Sequence, residues 1–263
     1  MSGSHNSILV TTNGPIATIT LNRPEKRNAL SLETMLEITA ALESIGDGRH
    51  GDIDGIVIAA NGPVFSAGHN FAEMAGATKA DAENLFEVCT AMMDTIQSVP
   101  QPVVARVHAL ATAAGCQLVA TCDLAVAAES AGFALPGGKG GLFCHTPLVA
   151  VSRNIGRKRA LEMAFTGDPI DARTALEWGL VNRVVPDSEL DTAVDDLVRR
   201  ASRGSAWAKA IGKRTFYEQI GLTQIEAYDT AIDAMSDNAV APDAQEGIAA
   251  FLAKRQPEFR ERP

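Results

Sequence analysis

The clearest structural signal of the chain lies in residues 103–128, VVARVHALATAAGCQLVATCDLAVAA. Apolar residues dominate 103–109 and 123–128, which predicts two buried strands, and residues 114–121 predict a short helix between them. A strand, a helix and a strand in this order are typical of an α/β fold with a largely parallel sheet. The polar interruptions are Arg106, His108, Gln117 and Asp123. They leave no run of the roughly 18 apolar residues that a membrane-spanning helix needs.

The residues before this stretch add further strands. Apolar runs at 8–10 and 16–21 flank an Asn13-Gly14 pair, which predicts a β-hairpin. Residues 53–60 predict a buried strand, and residues 61–70 predict a loop of small side chains. The N-terminal part therefore has the same α/β character.

Two longer helices are predicted in the first hundred residues. Ser31 predicts the N-cap of one of them, whose apolar face carries Leu32, Met35, Leu36, Leu42 and Ile45. Residues 82–98 predict the other, and Pro100 and Pro102 end it. Its apolar stripe comprises Leu85, Phe86, Cys89, Met92, Met93 and Ile96. We interpret this stripe as core packing, not as a cofactor site.

From Pro147 onward the chain is mostly helical. Helices are predicted at 157–165 and 171–178, followed by an extended segment at 180–185. Three or more helices follow between 188 and 255, with breaks at Gly204, Gly221 and Pro242. We expect two domains: an α/β core over residues 1–200, and a helical region over residues 201–263.

Composition excludes several classes of protein. The chain has 263 residues, of which 46% are hydrophobic and 21% charged, and its formal net charge is −9. These values are those of a folded globular protein, not of a disordered chain. The negative charge argues against a nucleic-acid partner and against a basic membrane anchor. It leaves room for an anionic small molecule bound by a local pair of basic residues.

The cysteines indicate a reducing compartment. Cys89, Cys116, Cys122 and Cys144 are scattered, and none forms a C-x-x-C pair. The N-terminus, MSGSHNSILV, lacks the charged and apolar segments of a signal peptide. The resulting expectation is a cytoplasmic protein.

Several familiar catalytic motifs are missing from the sequence. It contains no P-loop, no G-x-G-x-x-G after a strand and no G-x-S-x-G nucleophile elbow. Its histidines, His5, His50, His69, His108 and His145, include no pair at metal-ligand spacing. We therefore expect no metal site and no permanently bound cofactor.

Two segments of small residues remain as candidates for a binding site. They are FSAGHNF at 65–71, after a strand, and ATAAGCQ at 111–117, entering a helix. Small residues let a ligand approach the main chain, and the first N–H groups of a helix are unpaired. Two such donors aimed at one carbonyl would form an oxyanion hole. The alternative is that the small residues only allow tight packing of a strand against a helix.

Four motifs occur in a specific order along the chain. They are NRPEKRNAL at 22–30, FSAGHN at 65–70, AAGCQL at 113–118, and FTGDPIDARTALEWGLVNRVVP at 165–186. In this order the sequence resembles the crotonase superfamily, the enoyl-CoA hydratase/isomerase group. Within it, the segment LATAAGCQLVA at 110–120, together with GLFC at 141–144, resembles the branch of enoyl-CoA hydratase domain-containing protein 3.

The resemblance implies a crotonase-like (ClpP/crotonase) α/β fold of repeated ββα units, with a C-terminal helical region that forms homotrimers or hexamers made of paired trimers. It implies a coenzyme A thioester as substrate and a role in fatty acid metabolism. The thioester oxygen would bind the main-chain N–H groups of His69 and Ala114. Ala67 and Gly68 precede the first donor and belong to the ligand-binding segment.

The same resemblance places two basic residues near the ligand. Lys26 and Arg27 would lie along the path of the CoA pantetheine and nucleotide. The alternative for both is an ordinary solvated loop charge.

The sequence departs from the hydratase pattern at both acid–base positions. Hydratases of this family use two glutamates to add water. Here the first position is Gln117 and the second is Gly137. A carboxamide cannot accept a proton at neutral pH, and glycine has no side chain. Conventional hydratase activity is therefore doubtful.

Other residues are candidates for acid–base work. His145 lies eight residues after Gly137 and could act as a base at neutral pH, or it could simply stabilise a turn. Cys144 is a conceivable nucleophile if its pKa is lowered. His69 and Glu73 lie near the first oxyanion segment, where packing and surface roles are the alternatives.

We therefore expect an acyl-CoA thioester-binding protein of the crotonase family, acting as a lyase or isomerase. The alternative is a binding or regulatory protein that keeps the CoA pocket without efficient catalysis.

Overall fold

The computed structural model describes residues 7–260. Within this range the strands are β1 (Ile8–Asn13), β2 (Ile16–Leu21), β3 (Gly55–Ala60), β4 (Val103–Val107), β5 (Ala111–Thr112), β6 (Leu124–Ala128), β7 (Gly132–Ala134), β8 (Ile170–Asp171) and β9 (Arg183–Val185). Short 3₁₀ turns occupy Pro24–Lys26, Pro136–Gly140 and Asp187–Glu189.

The helices of the same range are α1 (Leu32–Gly46), α2 (Phe71–Met74), α3 (Lys79–Ser98), α4 (Ala114–Thr121), α5 (His145–Asn154), α6 (Arg157–Thr166), α7 (Ala172–Trp178), α8 (Leu190–Ser202), α9 (Ala206–Gln219), α10 (Gln224–Val240) and α11 (Pro242–Leu252). The predicted bounds of α4 agree with the structure, and the predicted C-terminal helices are present. Pro242 opens α11, because proline is well suited to the first turn of a helix.

The strands form a six-stranded sheet in the order β1-β2-β3-β4-β6-β9 and a three-stranded sheet in the order β5-β7-β8. β1 and β2 are the predicted antiparallel hairpin, and the pairs from β2 to β9 are parallel. The prediction of a largely parallel α/β fold is confirmed. The short strands of the second sheet were not predicted, since two or three residues carry no usable periodicity.

Helices cover both faces of the large sheet. β3 is buried at every position, and its residues alternate between two apolar clusters. Ile56 and Ile58 pack with α1 and α3, whereas Val57 and Ala59 pack with α8. A strand covered on both faces is a continuous apolar run, as the sequence shows.

The N-terminus of α1 is capped as predicted. The Ser31 hydroxyl accepts a hydrogen bond from the Thr34 N–H at 3.2 Å. One predicted core residue is wrong: Leu36 is 56% exposed, and Ile38 is fully buried in the same helix. The helical turn of 100° per residue places 35, 38, 42 and 45 on one face and 36 on the opposite side of the helix.

The helix α3 starts three residues before the predicted start. Thr78 and Asp81 form a capping box, in which the Thr78 hydroxyl accepts from the Asp81 N–H and the Asp81 carboxylate accepts from the Thr78 N–H. The predicted stripe is buried except at Phe86, which is half-buried.

The C-terminal helices are attached to the core through α9. The Lys213 ammonium lies 2.7 Å from the Asp123 carboxylate and also donates to the carbonyls of Ile96 and Gln101. The Tyr217 hydroxyl donates to Asp123 at 2.7 Å. The division of the chain at residue 200 stays a prediction.

No helix in the range 7–260 combines the length and the apolarity needed to cross a membrane. The same residues contain no cluster of three or more side chains suited to a metal ion. The expectation that the N-terminus lacks the features of a signal peptide rests mainly on residues 1–6, which lie outside the described range.

Candidate active site

The two segments of small residues lie side by side in the structure. Ser66 and Ala111 form a parallel bridge, and the Thr112 N–H donates to the Ser66 carbonyl at 2.9 Å. Gly68 has φ +88°, and a Cβ at this position would lie 2.9 Å from the Ala113 Cβ and 3.3 Å from the Ala114 nitrogen. Glycine at 68 is therefore required both by its backbone conformation and by the close approach of the second segment.

Two main-chain donors at this junction are unused. Among the hydrogen bonds of residues 7–260, none has the N–H of His69 or of Ala114 as its donor. The Gly68 carbonyl accepts from the Leu30 N–H, and the Asn70 N–H donates to the Leu30 carbonyl. The N–H of His69, between them, takes no part in this pairing. Ala114 is the first residue of α4, where the helix leaves its N–H groups unpaired and partially positive.

The residue before α4 has an unusual backbone. Ala113 has φ 49° and ψ −119°, and its N–H donates to the Ala134 carbonyl at 2.9 Å. A positive φ on a residue with a Cβ costs of order 1–3 kcal/mol and often occurs at functional sites. This conformation sets the direction in which the Ala114 N–H points.

A cavity of about 250 Å³ opens beside these residues. Four of the predicted site residues line it: His69, Ala114, Gly137 and His145. The rest of the wall includes Phe71, Met74, Phe86, Ala113, Leu142, Phe143, Cys144, Thr146 and Pro147. The cavity is thus apolar with a few polar groups, which is typical of a small-molecule site.

The His69 ring is enclosed by the cavity wall. Neither ring nitrogen has a hydrogen-bond partner among the described residues, and both are buried. The Phe86 ring lies edge-on to the imidazole, with centroids 5.5 Å apart. Burial lowers the pKa of His69 below its usual range, because the charged form loses water.

The two positions at which the resemblance implies glutamates, 117 and 137, differ in their relation to the cavity. Gln117 lies in the first turns of α4, is 5% exposed, and is not part of the cavity wall. Its Oε1 has no partner among residues 7–260. Gly137, in contrast, contributes directly to the cavity.

At Gly137 the surrounding loop leaves no space for a side chain. A Cβ there would lie 2.0 Å from the Leu142 carbonyl oxygen and 2.8 Å from the Cys144 sulfur. The Leu142 N–H donates to the Gly137 carbonyl, and the Gly137 N–H donates to the Cys144 sulfur. On this backbone a glutamate at 137 is excluded by steric overlap, not merely absent.

The two neighbouring candidates differ in their environment. Burial raises the pKa of the Cys144 thiol, and the Gly137 N–H opposes this only in part. A thiol of raised pKa is a poor nucleophile at neutral pH. His145 is exposed, begins α5, and has its ring 5.2 Å from that of Phe143.

The predicted CoA segment lies next to the first donor loop. The Ala67 N–H donates to the Arg27 carbonyl at 3.0 Å, and the Asn28 side chain donates to two carbonyls of the 61–64 loop. The side chains of Lys26 and Arg27 are exposed. Glu73 accepts hydrogen bonds from the Leu32 N–H and the Asn70 side chain, which gives it a structural contact outside the cavity.

The sequence model of the enoyl-CoA hydratase/isomerase family matches residues 11–262. The chain belongs to this family. Its predicted crotonase fold is confirmed by a crystal structure of an enoyl-CoA hydratase from Mycobacterium smegmatis, which has a TM-score of 0.92, shares 44% identity, and matches over 96% of this chain and 98% of that one.

Similar proteins also place the chain in a branch of the enoyl-CoA hydratase/isomerase family. Enoyl-CoA hydratase domain-containing protein 3, mitochondrial, of Rattus norvegicus is 44% identical over 243 residues, which is 92% of this chain and 80% of the rat protein. The human protein of that name has a crystal structure with a TM-score of 0.90 and 42% identity, covering 96% of this chain and 100% of that chain. The branch predicted from the sequence is confirmed.

The expectation of a cytoplasmic location is wrong. The matching rat, mouse, zebrafish, human and frog proteins are all named as mitochondrial. The four cysteines are free and buried, which indicates only that thiols stay reduced. Such a pattern does not distinguish one reducing compartment from another.

The sequence does not reveal most of the apolar wall of the cavity. Phe86 was assigned to core packing, and the loop residues Leu142 and Phe143 were not considered for the site. Phe71 is 72% exposed, an unusual state for a large aromatic side chain, but exposure is not visible in a sequence.

Proposed function

We propose that this family member binds an acyl-CoA thioester with its carbonyl oxygen between the N–H groups of His69 and Ala114. We further propose that it acts as an isomerase or lyase and does not hydrate enoyl groups in the conventional way. The observation that carries the proposal is the pair of unused donors beside the 250 Å³ cavity.

Two converging donors would change the reactivity of the thioester. They stabilise negative charge on the oxygen, so the carbon next to the carbonyl loses a proton more easily and an enolate becomes accessible. Removing one donor from such a site costs about 10²–10³ in rate. The apolar wall strengthens the effect, because water no longer screens the charge.

For conventional hydration the chain lacks the two carboxylates that would transfer protons, at positions 117 and 137. Acid–base help from one positioned group is worth about 10²–10⁴ in rate. Gln117 cannot accept a proton, and the tight loop around Gly137 supports the loss of the second carboxylate. Thioester binding and charge stabilisation need neither group.

The anionic part of CoA would follow the exposed segment at Lys26 and Arg27. This segment is hydrogen-bonded to the first donor loop, so phosphates there would be continuous with a thioester in the cavity. In a chain of net charge −9 such a local basic pair favours an anion.

We also propose assembly into a homotrimer or a hexamer through the C-terminal helices. In α9, α10 and α11 many large apolar side chains are exposed, among them Phe216, Ile225, Tyr228, Ile232, Met235, Phe251 and Leu252. Exposed apolar surface of this extent is typical of an interface. Size-exclusion chromatography with light scattering would test it, and a monomer at micromolar concentration would oppose it.

The decisive test compares two glycine variants. Gly68→Ala places a Cβ against Ala113 and Thr112, which pushes the two donor segments apart. Gly76→Ala has a similar positive φ but meets nothing within 4 Å, so it shares the backbone strain alone. We expect acyl-CoA affinity, measured by calorimetry, to fall about tenfold or more in Gly68→Ala only. Equal affinities in both variants would contradict the oxyanion hole.

A panel of enoyl-, dienoyl- and malonyl-CoA separates the enzyme from the alternative. Turnover of any thioester supports the isomerase or lyase. Saturable binding without turnover supports the binding or regulatory protein, which the closed loop at Gly137 favours. Brisk hydration of crotonyl-CoA would contradict our interpretation of both missing glutamates.

A further inference from the structure

We propose that the imidazole of His69 is the acid–base group of the cavity, taking a proton from the acyl chain and returning it. The inference rests on the proposed function, because it needs a thioester at the two N–H donors. It adds a side-chain role to a residue that otherwise contributes only its main chain.

The first observation is the isolation of the ring. Both nitrogens of His69 are buried, and neither has a hydrogen-bond partner within residues 7–260. A buried polar group without a partner is costly, so its retention points to a ligand or a reacting group that completes it. The ring lines the cavity, and Phe86 restrains it edge-on.

The second observation is that the other titratable groups of the cavity are less suited. Cys144 is engaged by the Gly137 N–H, and its thiol stays protonated. His145 is exposed at the start of α5 and lies against Phe143. Among the described residues that line the cavity there is no carboxylate. Of the titratable groups on this wall, His69 alone is buried next to one of the two donor N–H groups.

The protonation state of His69 fits a base. Burial lowers its pKa, and the Leu30 carbonyl and then the Glu73 carboxylate on α2 oppose this only in part. On the rest of the cavity wall the titratable groups are Cys144 and His145. The contributions of α3 and of the start of α4 carry no charge, since they are Phe86, Ala113 and Ala114. The ring is therefore neutral at pH 7 and can accept a proton.

The chemical step balances within the site. The imidazole takes a proton from the carbon next to the thioester carbonyl, and the electron pair of that C–H bond moves to the oxygen as an enolate. The N–H groups of His69 and Ala114 hold the oxygen. The imidazolium then returns its proton to the same carbon, which gives exchange, or to the far end of a conjugated enolate, which moves a double bond. No oxidant or other reactant is needed.

The test follows exchange of the α-protons of butyryl-CoA in D₂O by NMR, with binding measured in parallel by calorimetry. His69→Gln keeps the main-chain N–H but cannot take up the proton. We expect it to lower the exchange rate about 10²–10⁴-fold while affinity changes less than about tenfold. The exposed His50 gives a matched control, since His50→Gln makes the same substitution outside the cavity.

The pH profile separates a chemical role from a structural one. In the parent protein the exchange rate should rise with pH while the His69 ring loses its proton, because only the neutral ring acts. The rate should become constant above the pKa of the ring, and this plateau should begin below about pH 6.5, since the pKa lies below the ordinary value. His69→Gln should lose this limb. His50→Gln should keep it.

Each remaining outcome opposes the inference in a recognisable way. Exchange that survives in His69→Gln but disappears in His145→Gln assigns the role to His145. Binding without exchange in the parent refutes the acid–base role and leaves acyl-CoA binding intact. An absence of butyryl-CoA binding in the parent refutes the proposed function together with this inference.

Discussion

The loop over Gly137 gives the sharpest prediction about the site. Gly137→Ala adds one methyl group, which would lie 2.0 Å from the Leu142 carbonyl oxygen. Ordinary contact begins at 3.4 Å, so the loop must move by more than about 1 Å. That movement weakens the hydrogen bonds between Gly137 and both Leu142 and Cys144.

Overpacking of this kind costs about 1–3 kcal/mol. For a chain of this size 1 kcal/mol lowers the melting temperature by about 2–4 °C, so we expect a fall of about 2–12 °C. Differential scanning calorimetry measures the fall. Acyl-CoA affinity should weaken in parallel, because Leu142 and Cys144 form part of the cavity wall.

Gly140 supplies the matched control for this experiment. It lies in the same 3₁₀ turn, and a Cβ there meets nothing within 4 Å. Gly140→Ala should leave the melting temperature unchanged or slightly higher, since it only restricts the unfolded chain. Equal melting temperatures for the two variants would refute the steric argument, and with it the claim that a glutamate cannot occupy position 137.

Three further outcomes follow from buried, strained and charged groups. Lys213→Met should lower the free energy of unfolding in urea by about 3–5 kcal/mol, because it leaves the Asp123 carboxylate without its cation. Ala113→Gly should raise stability by about 1 kcal/mol in the same assay, because it relieves the positive φ. Hydrogen bonds from Arg255, and then from the main chain, lower the pKa of Glu246 to about 2. This carboxylate therefore stabilises the fold above about pH 4, and the benefit disappears as pH falls toward 2. Circular dichroism should show a shallower acid transition in Glu246→Gln.

Much of the fold could be predicted because local and tertiary preferences agree. The Asn13-Gly14 pair predicted the hairpin, and the position of residues 114–121 between two apolar runs predicted α4. The error at Leu36 came from grouping neighbouring apolar residues of α1, although the helical turn of 100° per residue already separates Leu36 from Met35, Leu42 and Ile45.

The two segments that carry the main-chain donors of the candidate site could be predicted from the sequence. Small residues mark the segments that supply the N–H groups of His69 and Ala114, whatever the side chains are. The cavity wall was not predictable, because Phe86, Leu142 and Phe143 meet only through long-range packing. The tight loop at Gly137 was also hidden, since a glycine in a sequence does not reveal what its missing Cβ would touch.

In the proposed site, the two N–H donors and a carboxylate at position 137 would depend on different parts of the structure. The donor N–H groups depend on close contact between the Gly68 and Ala113 segments, which also pack strands against α4, so folding itself preserves them. A carboxylate at 137 depends on an open loop, and here the loop is closed by the Leu142 carbonyl. Once closed, it brings Leu142 and Cys144 to the cavity wall and makes the space more apolar. An apolar site strengthens two main-chain dipoles and keeps an imidazole neutral, but it disfavours a charged carboxylate. Under the proposed function, Gly137 and the side chain at position 69 would therefore be parts of one electrostatic arrangement, suited to moving a proton on carbon and not to activating water.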